Sequence, residues 1–286
     1  MQATVMIDGQ LTVPEQAVVS VFDRGFLYGD SVFESLRTYD GRLFLLDAHL
    51  ARLERSAARV LIELPVPLSQ LREEVMTALA AQGSPEAYVR LMLTRGTAQS
   101  LGLDPELSGA SRRVLMVMPL KPPPPEIYER GIAAITFRAE RPSDAPSVAD
   151  AKIGNYLLSV LAMRRAREQG AGEALLEDAA GNILEGSTSN VFAVFGGKLV
   201  TPPETAAILP GITRARVLEL ARDAQLPLEL RAISRAELTR ADEVFITSSI
   251  RELVPVVKID GQPVGVGEPG PVARELLRGF RRAVRG

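Results

Sequence analysis

No cysteine and no tryptophan occur in this chain, and histidine occurs once, as His49. The missing thiols remove disulfides, thiolate nucleophiles and Cys-ligated metals together, and nothing marks an oxidising compartment. One imidazole excludes a metal site built on several histidines, so no metal is expected, and a Ser-His-Asp triad would have to use His49. No Gly-x-Ser-x-Gly elbow supplies the serine of such a triad. Lysine is nearly absent: of 33 Lys plus Arg, the lysines are Lys121, Lys152, Lys198 and Lys258. No apolar run reaches membrane-spanning length, so no membrane is expected as a partner. The start, MQATVMIDGQL, has neither the basic nor the apolar segment of a secretory leader. A net charge of −2 supplies no basic field for nucleic acid.

What is present is ordinary for a globular chain: 46% hydrophobic and 24% charged residues over 286 positions, enough for one large domain or two smaller ones. A soluble, cytoplasmic protein is expected. Asp8-Gly9 between apolar runs predicts a hairpin. Val18 to Phe22 reads as a strand, Asp23 to Asp30 as a Gly-bearing loop, and Ser31 to Tyr39 as a strand. Asp47 is placed as the cap of a helix carrying Leu50, Leu53, Ala57 and Val60, and Ser69 as the cap of a second. Strands at 87 to 94 and 113 to 119 complete an α+β part at 1–120. Pro122 to Pro125 predicts an extended linker at 121–130. Residues 131–286 then alternate strands and helices, with a Pro/Ser/Ala/Asp-rich loop from Arg141 to Asp150. That loop leads into a helix at Tyr156 to Gln169 carrying Leu157, Val160, Leu161 and Met163 at helical spacing. The last helix, 271 to 284, is expected to bury Val272, Leu276, Leu277 and Phe280.

Several stretches can carry chemistry, and each also has a plain structural reading. Lys152 stands at a loop-to-helix junction, Ala151-Lys152-Ile153-Gly154-Asn155-Tyr156, where its amine can form a Schiff base with a carbonyl. Pro210-Gly211-Ile212-Thr213 opens a helix, and its unpaired amides and hydroxyl suit a phosphate as well as they suit capping. Thr247-Ser248-Ser249 ends an apolar strand with three hydroxyls. Arg52 can fork onto a phosphate or face solvent. Glu185 precedes a Gly-Ser-Thr-Ser run and can keep a heterocyclic nitrogen protonated. Tyr88 and Arg90 lie two apart on one strand, hence on one face, and together with Tyr28 can take a substrate carboxylate.

The joint order of these motifs resembles the class IV, or fold type IV, pyridoxal-phosphate enzymes across nearly the whole chain. The resemblance rests on Asp23-Arg24-Gly25-Phe26-Leu27-Tyr28-Gly29, Ser31-Val32-Phe33-Glu34, His49 with Arg52-Leu53, and Lys152 with Asn155-Tyr156. It continues through Glu185-Gly186-Ser187, Gly211-Ile212-Thr213-Arg214, and Thr247-Ser248-Ser249 with Glu252 and Pro255. It implies a smaller N-terminal α+β domain and a larger C-terminal α/β domain of pseudo-barrel form, with pyridoxal 5'-phosphate between them, in a homodimer or larger homo-oligomer. Lys152 is implied as the Schiff-base lysine and Glu185 as partner of the pyridine nitrogen. Arg52, Ile212, Thr213 and Ser249 are implied around the phosphate, Tyr156 at the phenolic oxygen, and Ser248 also at the cofactor. Tyr28, Phe33, Ser35, Tyr88, Arg90 and Ile250 are implied at the amino-acid and keto-acid substrates.

Tyr88-x-Arg90 and Ser31-Val32-Phe33-Glu34 are similar to branched-chain aminotransferases, which implies transfer from an L-aliphatic amino acid to 2-oxoglutarate. The Arg-x-His pair of D-amino-acid aminotransferases is missing from Thr97 to Gly102. Branched-chain enzymes usually carry Gly where Ser35 and Ser248 stand. Polar residues there, with Ser249-Ile250-Arg251-Glu252, are similar to aminodeoxychorismate lyase, which releases pyruvate and 4-aminobenzoate. That lyase, and the D-amino-acid or R-amine transaminases, are the alternatives. Side-chain preference is expected to depend on positions near 97 to 111 and 139 to 150.

Overall fold

The structure, a computed structural model, describes residues 3–139 and 150–285. The expected loop from Arg141 lies outside them up to Asp150. Contacts divide the chain into two compact units: residues up to Lys121 together with Ala151–Asn155, and the remainder from Pro122 onward. Two placements differ from the sequence reading. The segment 151–155, expected in the second domain, belongs to the first unit. The expected linker holds a helical turn, Glu126–Glu129, because Pro125 has φ −53° and ψ −30° and starts a helix instead of extending the chain.

In the first unit the order is β1 (Thr4–Ile7), β2 (Gln10–Thr12), α1 (Arg24–Tyr28), β3 (Ser31–Tyr39), β4 (Arg42–Leu43), α2 (Leu46–Arg59), α3 (Leu68–Gln82), β5 (Ala87–Thr94) and β6 (Arg112–Pro119). The strands form one antiparallel sheet in the order β2-β1-β6-β5-β3-β4. Asp8-Gly9 and Asp40-Gly41 make its two tight hairpins with both residues at positive φ, the geometry that matches strand twist. Alternation decides what each strand buries. Along β5, Ala87, Val89, Leu91 and Leu93 enter the core while Tyr88, Arg90 and Met92 face the other way, half-buried. The core closes with Leu50 and Leu53 of α2 and Leu71, Val75 and Leu79 of α3.

Some local expectations are corrected. Asp47 and Ser69 do not cap their helices: the caps of α2 and α3 lie two residues earlier, at Leu45 and Pro67, with no side-chain cap bond. Val18 to Phe22 forms no strand, and Val18 and Val21 are exposed. Asp23 to Asp30 contains the short helix α1 instead of a plain loop. Asp23 caps it by accepting from the Gly25 amide, and Thr94 Oγ1 holds the same carboxylate at 2.9 Å.

The second unit runs α4 (Glu126–Glu129), β7 (Ile132–Arg138), α5 (Leu157–Glu168), β8 (Glu173–Glu177), β9 (Asn182–Gly186), β10 (Asn190–Phe195), β11 (Lys198–Thr201), α6 (Ile212–Asp223), β12 (Leu228–Leu230), β13 (Ile233–Ser234), α7 (Arg235–Leu238), β14 (Glu243–Ser248), β15 (Glu252–Ile259), β16 (Gln262–Pro263) and α8 (Pro271–Arg285). Its sheet is mixed, ordered β12-β11-β10-β14-β15-β7-β8-β9-β13, with β16 off β15. The pairs β11/β12, β15/β7 and β7/β8 are parallel. The central strands are apolar on both faces, as in Val191 to Val194 and Val244 to Ile246. α6 buries Val217, Leu218 and Ala221 as expected. α8 buries Ala273 and Val284 beside Leu276, Leu277 and Phe280, whereas Val272 is only half-buried. On α5 Leu157, Val160 and Leu161 face outward, whereas Ala162 and Ala166 are buried with Leu158 packed against them, because the small residues are the ones that seat closely on the strands. The whole is the mixed α/β architecture expected, with an antiparallel α+β unit first.

Candidate active site

The backbone of Lys152 is held like a short strand along β3. Ile153 bridges Val32 antiparallel. The Phe33 amide donates to the Lys152 carbonyl at 3.0 Å, and the Gly154 amide donates to the Ser31 carbonyl at 2.8 Å. The Lys152 amide donates to Ser56 Oγ on α2 at 3.1 Å. A Cβ at Gly154 would meet the Ser31 hydroxyl, which would have to turn away. Both backbone polar groups of Lys152 are thus committed.

Alternation along β3 sorts its residues into two sets. Phe33, Ser35 and Arg37 share one face, and Val32, Glu34 and Leu36 the other. On the first face, Ser35 stands opposite Arg90 in the β3/β5 register. The Ser35 and Tyr88 hydroxyls are hydrogen-bonded at 2.9 Å. The Arg90 guanidinium lies 3.8 Å from the centre of the Phe33 ring, and Lys152 Nζ lies 4.6 Å from it. Phe33, Ser35, Tyr88, Arg90 and Lys152 are therefore brought together. Tyr28, at the end of α1, accepts the Gly102 amide at 3.2 Å. Buried Arg24 donates to the carbonyls of Gly102, Leu103 and Asp104, fixing that loop to α1.

On the opposite face, Glu34 is fully buried. Arg52 donates through Nε and Nη2 to its two oxygens, both at 2.7 Å, and His49 Nδ1 lies 2.7 Å from Oε2. Burial pushes the Glu34 carboxyl up, but the charge and hydrogen bonds of Arg52, with His49, outweigh it and bring the pKa to about 2. Burial lowers the pKa of His49, and its contacts with Glu34 do not compensate, so the imidazole is neutral at pH 7. Arg52, expected as a phosphate ligand, is buried in this ion pair on α2 and is not on a solvated face.

In the second unit, Glu185 near the end of β9 accepts the Leu209 amide at 3.0 Å. Asn190 Nδ2 donates to the Leu209 carbonyl at 2.9 Å. Gly211 packs so tightly on Asn190 that no Cβ would fit. Glu185, β10 and the start of α6 are stitched together by these contacts. Ile212 and Thr213 are the first residues of α6, where amides lack helical partners. Thr247 stands opposite Asn190 in the β14/β10 register, and its buried hydroxyl has no hydrogen-bond partner among the described residues. Ser248 Oγ accepts the Arg251 amide at 3.2 Å, turning the chain through Ser249 and Ile250. Tyr156 takes the N-cap position of α5.

A carboxylate absent from the sequence reading organises this end. Glu173, fully buried at the start of β8, accepts the Ser187 amide at 3.1 Å, the Ser187 hydroxyl, and Ser189 Oγ at 2.9 Å. Arg251 Nη2 reaches the same carboxylate at 2.5 Å and Thr188 Oγ1 at 3.0 Å. Glu173 thereby ties the loop after Glu185 to the turn after Ser248.

Residues 31–259 match the family described as amino-transferase class IV. The chain belongs to that family. A D-alanine aminotransferase of Bacillus licheniformis is 35% identical over 286 residues, covering 98% of this chain and 96% of its own. A Methanocaldococcus jannaschii protein provisionally named a branched-chain-amino-acid aminotransferase is 38% identical over 278 residues, covering 97% and 95%. The crystal structure of the Escherichia coli branched-chain amino acid aminotransferase superposes with a TM-score of 0.92 at 31% identity, covering 98% of this chain and 93% of that one.

Class IV aminotransferases use pyridoxal 5'-phosphate, and the donor set of this one fits such a group. A phosphate needs several N–H and O–H donors. The first amides of α6, the Thr213 hydroxyl and the Thr247 hydroxyl, which has no hydrogen-bond partner among the described residues, are donors of that kind. Arg24, Glu34 and Arg251 stood in the quoted motifs without a role, and Glu173 escaped the sequence reading. The signal for the two glutamates was legible: an acidic residue at a core-facing position of an apolar strand is rare unless paired.

Proposed function

We propose that this class IV aminotransferase moves the amino group of an L-aliphatic amino acid, branched-chain substrates included, to 2-oxoglutarate. One observation carries the reading: Lys152 Nζ and the Arg90 guanidinium flank the same Phe33 ring. An amine that can move a proton at Cα then lies beside a cation that can take the α-carboxylate, as an amino acid requires and a simple amine does not. When bound, pyridoxal 5'-phosphate supplies an aldehyde and an electron-withdrawing ring. Lys152 would bond to that aldehyde at rest and shuttle the substrate proton once displaced. Glu185 would keep the ring nitrogen protonated. Arg52, Ile212, Thr213 and Ser249 would hold the phosphate, Ser248 would also contact the cofactor, and Tyr156 would donate to the phenolic oxygen. Tyr88 and Arg90 would bind the carboxylate, with Tyr28, Phe33, Ser35 and Ile250 around the side chain. The reading includes a homodimer.

The test is the absorbance of the reconstituted protein before and after L-leucine, without keto acid. Conversion to the pyridoxamine form, reversed by 2-oxoglutarate, is expected. A response to D-alanine and not to L-leucine would overturn the L-assignment. A second reading, aminodeoxychorismate lyase, is favoured by the Ser35–Tyr88 hydroxyl pair. Pyruvate released from aminodeoxychorismate, and lost in Ser35→Ala, would replace the transaminase reading with this one.

A further inference from the structure

Tyr88 and Ser35 are not a cross-strand pair. In the β3/β5 register Tyr88 stands opposite Arg37, and Ser35 stands opposite Arg90. Yet the Tyr88 hydroxyl lies 2.9 Å from Ser35 Oγ, so the phenol leans along β5 from its own pair to the next. Diagonal neighbours of this kind are about 7 to 8 Å apart, within reach of an aromatic side chain. Arg37 is turned elsewhere, to Glu86 at 2.7 Å and over the Tyr39 ring at 4.2 Å. Arg90 leans in the same sense as Tyr88, from Ser35 to the Phe33 ring that also carries Lys152 Nζ. A hydroxyl pair, a guanidinium and an amine thus follow one another along one face, all within the first unit. Among the described residues neither hydroxyl has another hydrogen-bond partner, and Arg90 has no hydrogen bond or ion pair.

Two hydroxyls bonded to one another hold two protons and spend one on that bond. If Tyr88 donates, its proton is spent on Ser35 and its oxygen offers only lone pairs, which a carboxylate oxygen repels. If Ser35 donates, the phenolic proton stays available to a ligand, and the bond it accepts strengthens the phenol as a donor. We propose that Ser35 is a positioning residue: its hydroxyl draws the Tyr88 phenol toward Arg90 and donates to it, so that the Tyr88 O–H is presented to the substrate carboxylate. This rests on the carboxylate role given to Tyr88 and Arg90 above.

The test is a double-mutant cycle on the holoenzyme, reading the dissociation constant of 4-methylpentanoate by calorimetry. This probe has the carboxylate and branched chain of leucine but no amino group to react. Tyr88→Phe is expected to weaken binding by about tenfold or more, the scale of a lost hydrogen bond to a charged group, and Ser35→Ala by about three- to tenfold. Because Ser35 acts through Tyr88, Ser35→Ala in the Tyr88→Phe background should change binding by less than about twofold. Ser35→Thr keeps the hydroxyl and should bind like the wild type. With L-leucine, Ser35→Ala should raise KM by the same factor and leave kcat nearly unchanged, since the Lys152 amine is untouched. Losses that add in the double variant overturn the proposal, because Ser35 would then touch the ligand itself. Wild-type affinity in Ser35→Ala with a loss in Tyr88→Phe removes the positioning role alone. Wild-type affinity in both variants ends the carboxylate role of Tyr88 with it. Failure of L-leucine to react, with the cycle as expected, overturns the L-aliphatic reading and upholds the role of Ser35. Should Ser35→Ala fail to fold, Ser35→Gly removes the same hydroxyl and takes its place in the cycle.

Discussion

Replacing Lys152 by Ala removes the one amine seated on the Phe33 ring while leaving the backbone pairing with β3 intact. Turnover should fall by about a thousandfold or more, the scale of losing a proton-transfer group that is also the nucleophile, while phosphate contacts still retain cofactor. Normal turnover in that variant would end the assignment of Lys152. Glu34 and His49 link stability to pH in one direction. With a folded pKa of about 2 against 4.5 ordinarily, Glu34 holds its proton more readily in the unfolded chain. Its contribution, on the order of 3 kcal/mol, is complete above about pH 4.5 and disappears as pH falls toward 2. His49 is held neutral by burial, so unfolding lets it bind a proton, and stability drops as pH falls below its ordinary 6.5. Urea midpoints measured from neutral pH downward should decline in these two steps. A midpoint that stays flat to pH 3 would contradict the buried pair.

At the scale of elements, the second unit depends on residues that tie loops together without touching reacting atoms. Glu173 accepts from Ser187, Ser189 and Arg251, three residues of two separate turns. Glu173→Gln points an amide donor at donors, and should lower stability by about 2 to 4 kcal/mol. Because the loop after Glu185 loosens with it, cofactor affinity should fall too, which a binding titration reads. Unchanged affinity in the folded variant would confine Glu173 to the scaffold. Glu243 shows a related device: buried in β14, it accepts the Val272 and Ala273 amides at 2.9 and 2.8 Å and caps α8 from another strand. Periodicity made α8 legible, but the cap is nearly thirty positions away along the chain.

For the whole molecule, cofactor binding and folding are one equilibrium. A ligand at a hundred times its dissociation constant stabilises the folded chain by about 2.7 kcal/mol. For a chain of this size the thermal midpoint should then rise by about 5 °C or more with excess pyridoxal 5'-phosphate. Calorimetry that shows no shift would count against the cofactor. No helix among the described residues is long and apolar enough to cross a membrane.

Most strands and helices were readable because they rest on local rules: period-two and period-3.6 apolar patterns, Asp-Gly turns at positive φ, and Ser234 capping its own short helix. The identity of Lys152 was readable because lysine is scarce and its neighbours form a family pattern in order. Its surroundings were not. That Lys152 shares a ring with Arg90, that Arg52 is clamped by Glu34, and that Glu173 joins two turns all depend on residues 14 to 119 positions apart in sequence. Hydrogen-bond geometry and strand register bring such residues within 3 to 5 Å, and no local propensity encodes that distance. The exposed face of α5 marks the same limit: spacing placed Leu157, Val160 and Leu161 on a helix, but only packing chose Ala162 and Ala166 as the face that meets the sheet.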